Sequence, residues 1–147
     1  MDEFAGVSHG GPKIKFKILR PGCEPRRATE RAAGFDLFTF ERVALRGFGV
    51  ERVPLGVAAQ IPKGYVGLLR GRSGLATRGI FCAEGTIDSD YLGEICALIY
   101  TNGFDRALFT GDRVAQLVIV PCLTESVIVE ELSQTARGEG GFGSTGR

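Results

Sequence analysis

The alternation of apolar and polar residues along the chain predicts a succession of short β-strands. In Lys13-Ile-Lys-Phe-Lys-Ile-Leu19 the two classes alternate with a period of two, so Ile14, Phe16 and Ile18 share one face of a half-buried strand. Turn-forming residues such as Asn102-Gly103 separate the apolar segments. The further predicted strands are residues 50–61, 65–70, 94–100, 113–120 and 126–132.

Many short strands at this spacing are typical of an all-β domain, and we expect a distorted jelly-roll-like β-barrel or sandwich. One short helix is predicted after Ser73, a candidate N-cap, with its end near Gly79. Residues 1–12 lack periodicity and are expected to be disordered, whereas residues 13–135 form the β domain. Residues 136–147 contain five glycines and are expected to form a flexible C-terminal arm.

Composition and charge exclude several classes of protein. The 147 residues suit one domain, and 18 Lys and Arg against 17 Asp and Glu exclude the basic excess of a nucleic-acid-binding surface. Four cysteines without a C-x-x-C pair, and His9 as the single histidine, predict no structural zinc. The N-terminus has no signal-peptide pattern, and no apolar run reaches the ~20 residues that span a bilayer. We therefore expect a soluble intracellular protein of the cytoplasm or nucleus, without membrane contact.

The glycine-rich end contains a misleading motif. Gly138-Glu-Gly-Gly-Phe-Gly143 matches G-x-G-x-x-G, but only four residues follow, so there is no helix to receive a dinucleotide pyrophosphate. Glycine main-chain N–H groups can still cradle a phosphate, with Arg137, Ser144 and Thr145 as further donors. Phe142 is suited to stacking on a base. Taken alone, this segment is better explained as a disordered tail with an incidental phenylalanine.

Two loops carry further candidate chemistry. Gly85-Thr-Ile-Asp-Ser-Asp-Tyr-Leu-Gly93 lies between predicted strands and is interpreted as a tight, acidic hairpin. There Asp88 or Asp90 could hold a water or a metal, or serve only as a turn residue. Gly71-Arg-Ser-Gly74 places a cation, a hydroxyl and glycines at the start of the predicted helix, which suits a phosphate or a simple cap.

Five segments together resemble the five motifs of the trimeric dUTPase family, in the family's order and over residues 33 to 146. Because five ordered matches are far more specific than one, they favour an active nucleotide site. The segments are Ala33-Gly-Phe-Asp-Leu37, Arg72-Ser-Gly-Leu-Ala76, Gly85-Thr-Ile-Asp-Ser-Asp-Tyr91, Gly111-Asp-Arg-Val-Ala-Gln116 and Arg137-Gly-Glu-Gly-Gly-Phe-Gly-Ser-Thr-Gly146.

The resemblance implies hydrolysis of dUTP to dUMP and pyrophosphate by water attack on the α-phosphorus. This reaction limits uracil incorporation into DNA and supplies dUMP for dTMP synthesis. Asp88 would orient the water and take its proton, and Tyr91 would exclude a 2′-hydroxyl. Asp36 would hold Mg²⁺, largely through waters.

The resemblance also implies substrate contacts around these residues. Base recognition would use the main chain near Gly85, Thr86, Ile87 and Cys96, where fixed hydrogen-bonding groups accept uracil and reject cytosine. Phe142 would stack on uracil while the arm closes over the γ-phosphate. The phosphate contacts would come from Arg72, Ser73, Gly74, Gln116, Arg137, Gly143, Ser144 and Thr145. The family forms homotrimers, with each site built from three chains.

Two other functions remain open from the sequence. A dCTP deaminase-branch enzyme would need a glutamate near the pyrimidine ring, and Glu84 and Glu94 lie close to the acidic loop. A dUTPase-like protein retained for protein binding would be expected to have lost Asp88, Tyr91 or Phe142, and all three residues are present.

Overall fold

A computed structural model describes residues 10–144 and residue 146 of the chain. Most of the segment predicted to be disordered, residues 1–9, lies outside the described residues, as does Thr145. Within the described residues ten strands and one helix follow one another. They are β1 (Lys15–Ile18), β2 (Gly34–Phe38), β3 (Val43–Leu45), β4 (Glu51–Gln60), β5 (Tyr65–Arg70), α1 (Ser73–Ala76), β6 (Ile80–Cys82), β7 (Gly85–Ile87), β8 (Glu94–Thr101), β9 (Arg106–Leu108) and β10 (Arg113–Pro121).

The strands form two four-stranded sheets and one two-stranded sheet, all antiparallel. The first sheet has the order β1-β4-β8-β6, the second β2-β10-β5-β7, and β3 pairs with β9. Most neighbours in these sheets are not consecutive in the chain, so the chain crosses between sheets repeatedly. The predicted all-β, jelly-roll-like fold is confirmed.

The core lies between the two four-stranded sheets. Strand β8 shows why, because Ile95, Ala97 and Ile99 are buried while Leu98 and Tyr100 point outward, as the period of two requires. Burial of one large aliphatic side chain contributes about 1.5–3 kcal/mol, so this inner face stabilises the sheet pair. The other fully buried large side chains include Leu37, Leu45, Val53, Leu55, Val57, Leu108, Val114 and Leu117.

One predicted strand is wrong. No strand is described in residues 126–132, and the apolar side chains of this segment are exposed, with Ile128 fully so. A β-branched run such as Val127-Ile-Val129 does not make a strand on its own, because its main-chain groups need a neighbouring strand with which to pair. Five strands of three to five residues were not predicted, namely β2, β3, β6, β7 and β9, since each is too short for a periodic signal.

The predicted helix is present but begins differently. Arg72 is its N-cap and makes no side-chain capping bond, so Ser73 is the first helical residue rather than the cap. The following turn ends at Gly79, whose φ of +75° suits glycine. No helix in residues 10–144 is long and apolar enough to cross a membrane.

Candidate active site

The acidic loop joins the two large sheets. A tight hairpin was predicted here, but β7 pairs with β5 while β8 pairs with β4 and β6, so the two strands belong to different sheets. This prediction is therefore wrong. The connecting turn is closed by a hydrogen bond from the Tyr91 main-chain N–H to the Asp88 carbonyl at 3.1 Å. The turn thereby keeps these two residues close to each other.

A cavity of about 300 Å³ opens where the two strands diverge, and we call it the base cavity. Gly85 begins the strand that forms one of its walls. The predicted residues Thr86, Ile87, Asp88, Tyr91 and Cys96 line this cavity together with Arg52, Glu94, Ile95 and Leu98. Apart from Phe142 of the C-terminal arm, the residues predicted to act on the base, the sugar and the attacking water therefore lie in or next to this one cavity.

The Tyr91 ring is held by two contacts within the loop. Its hydroxyl donates a hydrogen bond to the Glu94 carbonyl at 2.8 Å. A Cβ atom at Gly93 would lie 2.7 Å from the Tyr91 hydroxyl oxygen, which is closer than any side chain allows. Gly93 is therefore needed for the ring to occupy this position.

Main-chain groups border the base cavity on both strands. Strand β7 is the edge strand of its sheet, so in the described chain one side of its main chain has no strand partner. Strand β6 covers only residues 99–101 of β8, which leaves the earlier part of β8 with a partner on one side. Strand edges of this kind offer fixed donors and acceptors that can recognise a flat heterocycle.

The two glutamates that a deaminase would require are engaged elsewhere. The Glu94 carboxylate accepts a hydrogen bond from the Gly56 N–H at 2.9 Å, which ties the start of β8 to β4. Glu84 forms a salt bridge with Arg70. Neither arrangement presents a carboxylate for chemistry on a pyrimidine ring.

A second cavity, of about 220 Å³, contains the residues predicted to contact phosphates, and we call it the phosphate cavity. Asp36 on β2 and Gln116 on β10 are directly paired in register, and Arg72 and Ser73 follow β5 on the other side of β10. The walls comprise Asp36, Arg72, Ser73 and Gln116 with Ala28, Ala32, Ala33 and Gly34. Gly74 is adjacent and lines a neighbouring cavity with Arg72.

Close contacts hold the Gln116 side chain in place. Its Nε2 donates to the Gly71 carbonyl at 3.2 Å. On the other side, a Cβ atom at Gly34 would lie 2.8 Å from Gln116 Oε1. The glycine that precedes Phe35 and Asp36 therefore leaves the space that this amide occupies.

Asp36 is held between two arginines. Its carboxylate lies 3.5 Å from Arg72 Nε and 3.4 Å from Arg113 Nη1, and its side chain is only 13% exposed. Arg72 Nη1 also donates to the Arg113 carbonyl at 3.4 Å. The carboxylate thus fixes two guanidinium groups beside the phosphate cavity, and these cations suit an anionic ligand.

Asp88 is in a different situation. Within residues 10–144 its carboxylate forms no ion pair and no hydrogen bond with another side chain or the main chain. An ionised carboxylate is a hydrogen-bond acceptor only, so this group is suited to holding a water molecule.

The phosphate cavity fits a magnesium ion that is bound mainly through water. No cluster of three or more His, Cys, Asp or Glu side chains occurs in the part of the chain that the structure describes. Asp36 is the one carboxylate in the wall of this cavity. Mg²⁺ commonly keeps several waters and takes one or two carboxylates together with substrate phosphates, so a single Asp is compatible with it.

The C-terminal arm makes turns of its own. The Gly140 N–H donates to the Arg137 carbonyl at 3.0 Å, and the Ser144 N–H donates to the Gly141 carbonyl at 3.0 Å. Phe142 is fully exposed and adopts a φ of +52°, followed by Gly143 at +87°. None of the arm residues that the structure describes lies in the wall of the base cavity or of the phosphate cavity. Predictions for Thr145 fall outside the described residues.

Cysteine chemistry is not favoured by the site. Burial raises the pKa of the Cys82 thiol, so this side chain is protonated near neutral pH. Cys96 lies in the wall of the base cavity, where its Sγ is 3.9 Å from the Glu94 carbonyl. That Cys96 acts through its main chain stays a prediction.

The structure gives three residues positions that the sequence did not predict. Arg113 lies in the Gly111-Asp-Arg motif, which was the only available signal for it, and it pairs with Asp36. Glu94 accepts a local hydrogen bond from Tyr91 and a long-range one from Gly56 on β4. Arg52 enters the wall of the base cavity because β4 and β8 are paired, which sequence spacing does not reveal.

Comparisons with known proteins agree with this geometry. Residues 21–146 match the family model described as dUTPase. A deoxyuridine 5'-triphosphate nucleotidohydrolase of Anaeromyxobacter sp. (strain Fw109-5) is 48% identical, over 96% of this chain and 94% of its own. A Staphylococcus bacteriophage 80alpha dUTPase variant with dUpNHpp has a TM-score of 0.83 at 31% identity, covering 93% of this chain and 100% of its own. A dUTPase variant from phage phi11 of S. aureus, described with a structural Mg(II) ion, has a TM-score of 0.76 at 29% identity, covering 82% and 98%.

Proposed function

The chain belongs to the dUTPase family and is a dUTP diphosphatase, and on this premise we propose that Asp88 activates the attacking water. The observation that supports this role is that Asp88 lines the base cavity with Tyr91 and that its carboxylate forms no ion pair within the described residues. The carboxylate accepts a hydrogen bond from the water and takes its proton as oxygen attacks the α-phosphorus. The products are dUMP and pyrophosphate.

Selection of the sugar is assigned to Tyr91. Its ring is held by the Glu94 carbonyl and by the absence of a side chain at Gly93. A deoxyribose fits against a fixed ring, whereas a 2′-hydroxyl would meet the ring and lose its hydrogen-bonding partners. Sugar selection requires the ring to stay in one position, which the Glu94 carbonyl and the side-chain-free Gly93 both allow.

Selection of the base is assigned to the main chain near Gly85, Thr86, Ile87 and Cys96. Uracil offers an N3–H donor and an O4 acceptor, and cytosine presents the reverse pattern. Strand edges that border the base cavity support recognition by fixed main-chain groups. A mismatched base would leave buried groups unpaired, and sites of this kind discriminate by about 10⁴-fold or more.

Binding of the triphosphate is assigned to Arg72, Ser73, Gly74 and Gln116. Arg72 presents a guanidinium that Asp36 keeps in place, and Gln116 is fixed by the Gly71 carbonyl. Asp36 is also the residue that would hold Mg²⁺, through intervening water. When bound, the ion neutralises part of the charge on the phosphates.

The C-terminal arm is assigned the closing role. Phe142 would stack on the uracil ring while Arg137, Gly143, Ser144 and Thr145 contact the γ-phosphate. Full exposure of Phe142 supports this role, since an aromatic side chain without a partner of its own is available to a ligand. Closure would exclude water and fix the reacting groups in line.

Each complete site is proposed to form in a homotrimer. The base cavity contains none of the predicted phosphate-binding residues, and the arm lines neither cavity, so one chain in its described part presents the components separately. Exposed apolar side chains at Leu98, Tyr100 and Ile128 support association. One chain would supply Asp88, a second Asp36 and the phosphate-binding residues, and a third the arm.

The function is tested by measuring pyrophosphate release from dUTP, dCTP, dTTP and UTP, with and without Mg²⁺. Turnover of dUTP alone, stimulated by Mg²⁺, is expected. Deamination of dCTP, or no turnover of dUTP, would refute the proposal. Light scattering on the same preparation should give three times the 15.7 kDa chain mass; a monomer with full activity would refute the shared site.

A further inference from the structure

Two more cavities continue from the phosphate cavity along the surface. The first, of about 420 Å³, shares Arg72 with the phosphate cavity and also contains Arg78 and Arg113. The second, of about 490 Å³, shares Arg78 and contains Arg106. We call these two connected cavities the arginine trench. It begins where the triphosphate is proposed to bind and continues to Arg106.

The arginine trench has more basic than acidic side chains in its described walls, with four arginines against one aspartate. The whole chain carries 18 Lys and Arg against 17 Asp and Glu. The four arginines of the trench are therefore a local concentration of positive charge in a chain that is nearly neutral overall. Asp112 is the one acid in the described walls, and its Oδ2 accepts the Phe109 N–H at 2.8 Å. Asp36 pairs with Arg72 and Arg113 only, at the near end.

The far end of the trench is organised around Arg106. Its Nε donates to the Arg78 carbonyl at 3.2 Å, its Nη1 donates to the Asp105 carbonyl at 3.2 Å, and its guanidinium carbon lies 5.5 Å from the centre of the Phe104 ring. Within residues 10–144 neither Arg78 nor Arg106 forms an ion pair with an acidic side chain. Two guanidinium groups are thus available to an anion at this end.

The geometry points to the arginine trench as a binding site for inorganic pyrophosphate, the leaving group of the reaction. This inference rests on the proposed function, which releases pyrophosphate at the Arg72 end. Guanidinium groups match phosphate oxygens in pairs, and a row of them lets the anion exchange one contact for the next. Pyrophosphate leaves along the trench towards Arg78 and Arg106, while dUMP remains in the base cavity.

The test uses product inhibition in the full-length enzyme with Arg78→Gln and Arg106→Gln. Inhibition of dUTP hydrolysis by added pyrophosphate should weaken about fivefold in each variant, the loss expected for one exposed ion contact. The KM for dUTP should change by less than about twofold, because these residues lie beyond the triphosphate site. Lys63→Gln is the control, since it removes the same unit charge from an exposed side chain that lies outside the trench and forms no ion pair within the described residues.

Equilibrium dialysis with labelled pyrophosphate, without nucleotide, separates this inference from the catalytic one. Weaker pyrophosphate binding in both trench variants, with wild-type binding in Lys63→Gln and only partial recovery in Arg78→Lys, supports the trench, because an ammonium keeps the charge but not the paired contacts of a guanidinium. Unchanged pyrophosphate binding in variants that still hydrolyse dUTP overturns it, as does equal inhibition by pyrophosphate and sulfate. Equal losses in dUTP and pyrophosphate affinity would instead assign Arg78 to the substrate site. If the wild type failed to hydrolyse dUTP, the proposed function would be refuted. The pyrophosphate-binding measurement could still be interpreted, because it does not depend on turnover.

Discussion

Asp36 and Asp88 are both carboxylates in the walls of ligand cavities, but their surroundings differ. Asp36 lies in the middle of a strand, between two guanidinium groups at 3.4 and 3.5 Å, and is mostly buried. Asp88 lies in a turn, and in the described chain its carboxylate forms no ion pair with another side chain. One carboxylate therefore organises neighbouring cations, and the other is available to a water molecule.

This difference separates binding from chemistry within one domain. The phosphate cavity is built from paired strands and ion pairs, which fix charge for a ligand that is always anionic. The base cavity is built from strand edges and a turn, which present main-chain groups and one unengaged acid. The comparison predicts that changes at Asp88 reduce kcat and that changes around Asp36 raise KM.

The largest effect is expected for Asp88→Asn. The amide keeps the shape of the side chain but is not a base, so kcat should fall roughly 10²- to 10⁴-fold. Binding of a non-hydrolysable dUTP analogue should be retained, as measured by calorimetry. Asp90→Asn, in the same turn, is the control and should stay within about twofold of wild type. A large loss of analogue binding in Asp88→Asn would contradict the water-positioning role.

A somewhat smaller effect is expected when residues 137–147 are removed. Loss of the closing arm should reduce kcat/KM roughly 10²-fold, because reacting groups are no longer held in line. The melting temperature should not change, since the described arm residues are nearly all exposed. Phe142→Ala should lose part of this activity, whereas Phe48→Ala, which removes an equally exposed phenylalanine elsewhere, should lose none. Near-normal turnover of the truncated enzyme would refute the closing role.

A third prediction concerns Asp36→Asn. Without the carboxylate, Arg72 and Arg113 lose their shared anchor, so the KM for dUTP should rise about tenfold with a smaller change in kcat. A Mg²⁺ titration of activity distinguishes the two proposed roles. Recovery of wild-type KM at high Mg²⁺ would assign Asp36 to the ion alone, and a persistent rise in KM would assign it to the arginines as well.

The long strands were predictable from sequence, and the short ones were not. Strand β5 has the predicted bounds, and β4 differs from its prediction by one residue at each end. Both are mainly apolar segments of six or more residues between turn residues, which are readily recognised in a sequence. Strands of three residues, such as β6 and β9, exist because a neighbour pairs with them. Residues 126–132 show the converse, since this apolar, β-branched segment has no described strand partner and its side chains are exposed.

The candidate site divides in the same way. Asp88, Tyr91 and Arg72 were found because their motifs are local and ordered along the chain. Arg113, Glu94 and Arg52 were missed as site residues because their roles depend on contacts between strands that are distant in sequence. The order of the motifs also did not predict that the two cavities lie apart, because it does not indicate in which sheet each motif lies.

The smallest predicted effect tests the local hydrogen bond between Tyr91 and Glu94. Tyr91→Phe removes the hydroxyl that donates to the Glu94 carbonyl at 2.8 Å but keeps the ring. Tyr91 is 43% exposed, so the bond contributes towards the lower end of the usual 0.5–1.5 kcal/mol, and discrimination of dUTP against UTP should fall about threefold. Gly93→Ala, which displaces the ring directly, should reduce discrimination further. The ratio of kcat/KM for the two nucleotides measures both variants, and unchanged ratios would show that the loop does not hold the ring.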